Sequence, residues 1–192
     1  FIISLYEIIE DSSNLYLIME NLDNGSLLDF IRKNGPLNDN DTQKVFLQLI
    51  SAISYLHNTL HIVHRDIKTE NIMIDSNMNI RLIDFGFARF VSLPNQFMTT
   101  NCGSFAYASP ELISQQPYTS ASDIWSLGIV IYAITTGFLP FVADNYPKYS
   151  ELILKSEPKY PSTMNPQLVD LISKMLNKNP KTRITIDEII QH

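Results

Sequence analysis

Apolar runs at residues 1–9 and 15–20 predict two strands, separated by the turn-forming Asp11-Ser12-Ser13-Asn14. The polar stretch Asn21-Leu22-Asp23-Asn24-Gly25 reads as a connector. Ser26 can then cap a short helix that runs through Ile31 and stops at Asn34-Gly35. Asn38, with Asp41 three residues later, opens a second helix. Its residues Val45, Phe46, Leu49, Ile50, Ile53 and Leu56 recur at helical spacing and define one buried face. From Ile62 the period shortens, and residues 62–63, 71–74 and 80–83 are β-type pieces joined by polar turns. Residues 90–109 show no period and predict a long loop, of the kind that in compact domains is functional or disordered. Residues 124–134 are apolar on every side, yet shorter than the roughly 20 needed to cross a bilayer, so they predict a helix buried at the centre. Residues 167–176 are amphipathic, and Thr185-Ile186-Asp187-Glu188 is a capping-box pattern that starts a last helix. Strands come first and helices after, which predicts an α+β domain.

Composition narrows the functional classes. The 192 residues suit one domain with a real core. Fourteen Lys and Arg against 20 Asp and Glu give a net charge of −6, which leaves no basic face to neutralise a run of phosphates and argues against nucleic acid. The single cysteine, Cys102, cannot build an internal disulfide or a multi-cysteine zinc site, and suits a reducing, cytoplasmic setting. No segment reads as a membrane span or a signal peptide. The opening Phe1-Ile2-Ile3 already has strand character, and the expectation is that the sequence is a fragment.

The chemistry concentrates in His64-Arg65-Asp66-Ile67-Lys68-Thr69-Glu70-Asn71 and in Asp84-Phe85-Gly86. A short hairpin between them should bring Asn71 and Asp84 to one mouth. Two fixed oxygen ligands there suit Mg²⁺, which takes a few protein oxygens plus phosphate oxygens. Asp66 and Lys68, on the loop before the first strand, should face the same mouth. A carboxylate so placed can accept a hydroxyl proton, and an ammonium two residues on can neutralise a phosphoryl oxygen. Taken singly, such residues at strand ends are usually turn formers and solvated charges. It is the ordered combination that carries the signal.

On these residues the chain resembles the catalytic domain of eukaryotic protein kinases. The segment 64–71 is similar to the catalytic loop, Asp84-Phe85-Gly86 to the metal-binding motif, and Ser109-Pro110-Glu111 to the Ala-Pro-Glu motif with Ser for Ala. Asp123-Ile124-Trp125-Ser126-Leu127-Gly128 resembles the start of the family's buried central helix, and Arg183 stands where an Arg pairs with the motif glutamate, here Glu111. Lys68 in its spacing is similar to serine/threonine kinases, with Thr69 in place of a common proline. Cys102-Gly103-Ser104 with Tyr107, and Gly137-Phe138-Leu139-Pro140-Phe141, resemble the calcium/calmodulin-dependent and AMP-activated-like group.

The resemblance implies a two-lobed fold with a mostly helical large lobe. Residues 1–20 would be a remnant of the small lobe, 21–25 the hinge and 26–192 the large lobe. It implies ATP and Mg²⁺ as cofactors and transfer of the γ-phosphoryl group to Ser or Thr of protein substrates. Asp66 would be the base, Lys68 would steady the phosphoryl group, and Asn71 and Asp84 would hold the metal. Met19, Glu20, Leu22 and Met73 would surround the adenine. Thr100 would be a site for an upstream activating kinase, its phosphate paired by Arg65 and Arg89. Glu70, Gly103 and Ser104 would face the substrate. Ser26 and Ala133 occupy positions that are acidic in strongly basophilic relatives, which leaves Arg preference open. His64, Phe85 and Leu5 match a stacked apolar column, and His57 and His61 read as structural. The Gly-rich loop, strand lysine and helix glutamate of the family should precede Phe1. A non-catalytic, kinase-derived interaction module is the competing reading.

Overall fold

The computed structural model describes residues 1–91, 97–99 and 103–192. It begins with a hairpin, β1 (Leu5–Glu10) against β2 (Leu15–Met19), antiparallel from Leu5 opposite Met19 to Glu10 opposite Leu15. Asp11 closes the turn by accepting from the backbone N–H of Ser13 at 2.7 Å and of Asn14 at 2.8 Å. The strand expected over 1–9 divides at Ser4. Residues 1–3 run beside a later strand, with Leu82 N donating to Phe1 O and Ile3 N to Leu82 O. Every residue of β1 and β2 is exposed, although most are apolar.

Helix α1 (Leu27–Asn34) starts where Ser26 Oγ accepts from Asp29 N at 3.1 Å, and it ends against Gly35. Helix α2 (Asp39–Ser54) is capped by Asn38 through Asp41 N and runs on into a π-turn, Tyr55–Thr59. Its buried face includes Val45, Leu49 and Ile53, as the spacing predicts. Strand β3 (Ile62–Val63) pairs with β6 (Arg89–Phe90), while β4 (Ile72–Ile74) pairs with β5 (Ile80–Leu82). Both pairs are antiparallel and enclose the two chemical segments.

The described residues of the loop expected over 90–109 include local structure. Met98 bridges to Tyr118, and Phe105–Tyr107 forms one 3₁₀ turn. Two helices escape the sequence reading, α3 (Pro110–Ile113) and α5 (Tyr146–Lys155). α3 is too short to show a period. α5 is interrupted near its start by Pro147, which is tolerated because the first helical positions need no N–H partner.

Helix α4 (Ala121–Thr136) is the axis of the fold. Twelve of its 16 residues are buried, and Trp125, Leu127, Ile129, Val130, Ile131 and Ile134 are inaccessible. Helix α6 (Pro166–Met175) crosses it at Gly128, where an added Cβ would lie 2.9 Å from the Leu176 side chain. Helix α7 (Ile186–Gln191) carries the expected reciprocal cap between Thr185 and Glu188. Among the described residues no helix is long and apolar enough to cross a membrane. The α+β architecture is as expected, with one large core that joins α4 to the inner residues Ile72, Ile74, Ile80 and Leu82 of the β4–β5 pair.

Candidate active site

Asp123, in the first turn of α4, organises the segment that holds Asp66. It is 1% exposed, and its Oδ2 accepts from His64 N at 2.9 Å and lies 2.8 Å from His57 Nε2. Oδ1 accepts from Arg65 N at 2.9 Å. Arg65 is thereby held at φ 69°, a left-handed conformation that costs a non-glycine residue free energy and persists only where its surroundings impose it. Burial alone would raise the Asp123 carboxyl, but the His57 contact and the donated N–H groups outweigh it and keep it below its ordinary range.

The strained turn presents Asp66, which is 4% exposed. Its Oδ2 accepts from Lys68 Nζ at 2.6 Å and from Asn71 Nδ2 at 2.9 Å, and its Oδ1 accepts from Ser104 N at 2.8 Å. Lys68 also donates to Ser104 Oγ at 2.7 Å. Burial pushes the Asp66 carboxyl up, but the Lys68 and Ser104 donors prevail, so it sits below the usual carboxylate range and is ionised at neutral pH. Such a group can orient a hydroxyl and take its proton. Gly103 makes this approach possible: at φ 89°, an added Cβ would lie 2.4 Å from Arg65 O.

The hairpin β4–β5 brings Asn71 and the approach to Asp84 together, with Ile83 N donating to Asn71 O at 2.9 Å. His64 latches the same segment, its Nε2 3.0 Å from Ile83 O and its ring 4.9 Å edge-on from Phe85. Leu5 of the expected column stays half-exposed on β1. Asp84 is exposed at φ 62°, with Oδ1 accepting from Gly86 N at 3.2 Å. Because Asn71 Nδ2 points at Asp66, its Oδ1 faces away and is oriented as an acceptor. Among the described residues no three His, Cys, Asp or Glu side chains converge into a closed metal cage. An amide oxygen and one carboxylate therefore fit a hard cation that completes its shell with phosphate and water.

Of the residues expected around the adenine, Met19, Glu20 and Leu22 lie at or just beyond the end of the hairpin and Met73 lies on β4. Glu20 N donates to Ser4 O at 2.9 Å, which leaves its carbonyl as the main-chain group able to face a base. The Glu20 carboxylate pairs with Arg81, NH2 to Oε1 at 3.0 Å, and that contact fastens β5 to the end of β2. Leu22 is buried, Met73 lies opposite Arg81 on β4, and Met19 is 45% exposed. Glu70 is exposed on the turn before β4. Thr100 and Cys102 lie outside the described residues. Arg65 meets Phe87 O through Nε and Tyr118 OH through NH1, while Arg89 is exposed on β6.

A cavity of about 810 Å³ lies elsewhere, lined by His57, Val63, Tyr118 and Arg183 among others, and none of Asp66, Lys68, Asn71 or Asp84 borders it. His57, expected to be structural, and Tyr107, expected in the family-like loop, have partners that the sequence did not indicate: Asp123, 66 positions from His57, and Thr69, 38 positions from Tyr107. No spacing rule announces either contact.

The protein kinase domain family matches residues 1–192. Over 192 residues the chain is 43% identical to serine/threonine-protein kinase SIK1 of Rattus norvegicus, covering all of this chain and 24% of that protein. It is 44% identical to a probable serine/threonine-protein kinase, MARK-A, of Dictyostelium discoideum, covering all of this chain and 18% of that one. The SNF1-related protein kinase catalytic subunit alpha KIN12 of Arabidopsis thaliana is 41% identical over 191 residues, 38% of its length. The chain thus spans well under half the length of these relatives. With its whole length matched and its segments 64–71 and 84–86 folded into one cluster, the chain belongs to the protein kinase domain family.

Proposed function

We propose that this chain is the catalytic part of a serine/threonine protein kinase that transfers the γ-phosphoryl group of Mg²⁺-ATP to Ser or Thr of protein substrates. The observation that carries this reading is the convergence of Lys68, Asn71 and Ser104 on an ionised, buried Asp66. Asp66 orients the substrate hydroxyl and accepts its proton. Lys68 offers its ammonium to the transferred group, and Asn71 and Asp84 supply oxygens to the metal. Phosphoryl transfer asks mostly for positioning and charge neutralisation, and these residues supply both.

Residues 1–20 are assigned as small-lobe strands, 21–25 as the hinge and 26–192 as the large lobe. Met19, Glu20, Leu22 and Met73 are assigned to the adenine, and Gly103, Ser104 and Glu70 to the substrate peptide. Thr100 is assigned as the phosphorylation site of an upstream kinase, with Arg65 and Arg89 as its partners. The proposed setting is cytoplasmic. The exposed apolar side chains of β1 and β2 argue that residues 1–192 by themselves bind Mg²⁺-ATP weakly and turn over poorly.

The test is Asp66→Asn in the complete protein, assayed with Mg²⁺-ATP and Ser/Thr peptides. Transfer should fall at least about a hundredfold, the scale of a lost general base, while the urea midpoint stays near that of the unchanged protein. Transfer within twofold of the unchanged protein, or none by the unchanged protein, defeats the proposal. The second outcome would favour a non-catalytic interaction module.

A further inference from the structure

Thr69 lies between Lys68 and Glu70 and is 1% exposed. Its Oγ1 is 2.7 Å from the Tyr107 hydroxyl and 3.1 Å from Glu70 Oε2. A threonine hydroxyl has one proton. That proton goes to the Glu70 carboxylate, so Tyr107 donates to Thr69. Burial, together with the Glu70 charge, pushes Tyr107 up to about 12 despite the Thr69 bond, so its proton stays in place.

Tyr107 is a fixed post. Its ring is 6% exposed, its carbonyl accepts from Ser126 Oγ on α4 at 2.8 Å, and the adjoining Ala106 carbonyl accepts from Tyr149 OH on α5 at 2.9 Å. Glu70, by contrast, is exposed, and an unheld glutamate loses rotamer freedom when a ligand orders it. One oxygen tied to Thr69 removes part of that cost in advance and leaves the other oxygen for an incoming cation. A proline at position 69 would have no hydroxyl to do this.

We propose that Thr69 is a positioning residue for substrate selection: it hands the rigidity of Tyr107 to Glu70, so that Glu70 receives a basic side chain of the peptide substrate. The inference rests on the kinase reading above. Glu70 is exposed two positions from Lys68, so its carboxylate is the exposed anionic group that the turn 64–71 offers to a peptide beside the transfer site.

The experiment uses the complete protein and paired peptides that differ only in Arg or norleucine at each position upstream of the phosphorylated residue. Thr69→Val should raise KM about fivefold for the preferred Arg peptide, the scale of one ordinary hydrogen bond. It should leave kcat, and KM for the norleucine peptide, within twofold. Thr69→Ser, which keeps the hydroxyl, should restore the Arg preference. In a Glu70→Gln background, Thr69→Val should add nothing. Equal losses toward both peptides, no loss, or failure of the Ser variant to restore the preference overturns the proposal. If the unchanged protein transfers to no peptide, the kinase reading fails. The same Arg-to-norleucine ratio, read as peptide binding by fluorescence anisotropy, then still decides the role of Thr69.

Discussion

Arg183 meets Glu111 through two parallel hydrogen bonds, NH1 to Oε1 at 2.7 Å and NH2 to Oε2 at 2.9 Å, with the guanidinium fully buried. NH1 also donates to Ala121 O at 2.7 Å and Nε to Asn177 O at 3.0 Å. One side chain therefore fastens α3, the start of α4 and the segment before α7. Arg183→Ala leaves a buried carboxylate unpaired and should cost about 3–5 kcal/mol. Arg183→Lys should recover little, because an ammonium cannot make the two-point contact. Urea unfolding checks both, and a loss under about 1 kcal/mol for the Ala variant contradicts the account.

Gly103→Ala should act on the site more than on the fold. The left-handed backbone costs an alanine about 1–2 kcal/mol, and the added carbon collides with Arg65 O. The loop must move away, taking Ser104 from Asp66 and Lys68. In the complete protein we expect transfer to drop by about a hundredfold, the usual consequence of a misplaced reacting group. Hydrogen exchange at Ser104 should speed up in parallel, and unchanged exchange there would refute the mechanism.

Asp123→Asn should loosen the turn at Arg65, since an amide has one accepting oxygen where the carboxylate uses two. One buried N–H is then left without a partner, at a cost of about 1–3 kcal/mol. The sign in acid follows from the lowered Asp123 carboxyl. Its stabilising contribution is full above the unfolded value of about 3.9, and it fades as pH falls through the lower folded value. Acid titrations of stability should show a shallower loss for the Asn variant than for the unchanged protein.

Lys178 carries the opposite kind of group. Its Nζ lies 5.0 Å from the Trp125 ring centre and 4.5 Å from that of Phe141, and among the described residues it has no hydrogen-bond partner. The rings favour the cation and Glu157 helps, but burial prevails, with Arg183 adding to it, and the amine is pushed down to about 8 from 10.5. Between those values the folded state binds fewer protons than the unfolded state. The cost of burying this charge is therefore full below about 8, falls as pH rises from about 8 to 10.5, and is gone above. Lys178→Met should be more stable at pH 7, with the difference from the unchanged protein shrinking toward pH 10. A difference that does not depend on pH would show that Lys178 is fully charged in place.

Much of the site was legible in the sequence because it sits in short contiguous segments. The turn 64–71 and the hairpin after it are local, so spacing alone suggests the meeting of Asp66, Lys68 and Asn71 and the return of the chain to Asn71 at Ile83, next to Asp84. The approach of Ser104 to Asp66 is different: 38 positions separate them, and the contact depends on Gly103 passing close to the Arg65 carbonyl.

Helix α2, the buried α4 and the cap at Thr185 were also determined by the sequence, since periodicity and capping act over a few residues. The tertiary structure alone decided that residues 1–3 join β5 instead of continuing into β1. It likewise decided that His57 braces Asp123 and that Thr69 reaches Tyr107. The last two are selected by the packing around α4, which holds Asp123 and Ser126 beside groups from distant segments. A buried polar group without a partner is costly, so the fold pairs whichever groups it brings together. That choice is a property of the assembled core and not of any stretch of chain.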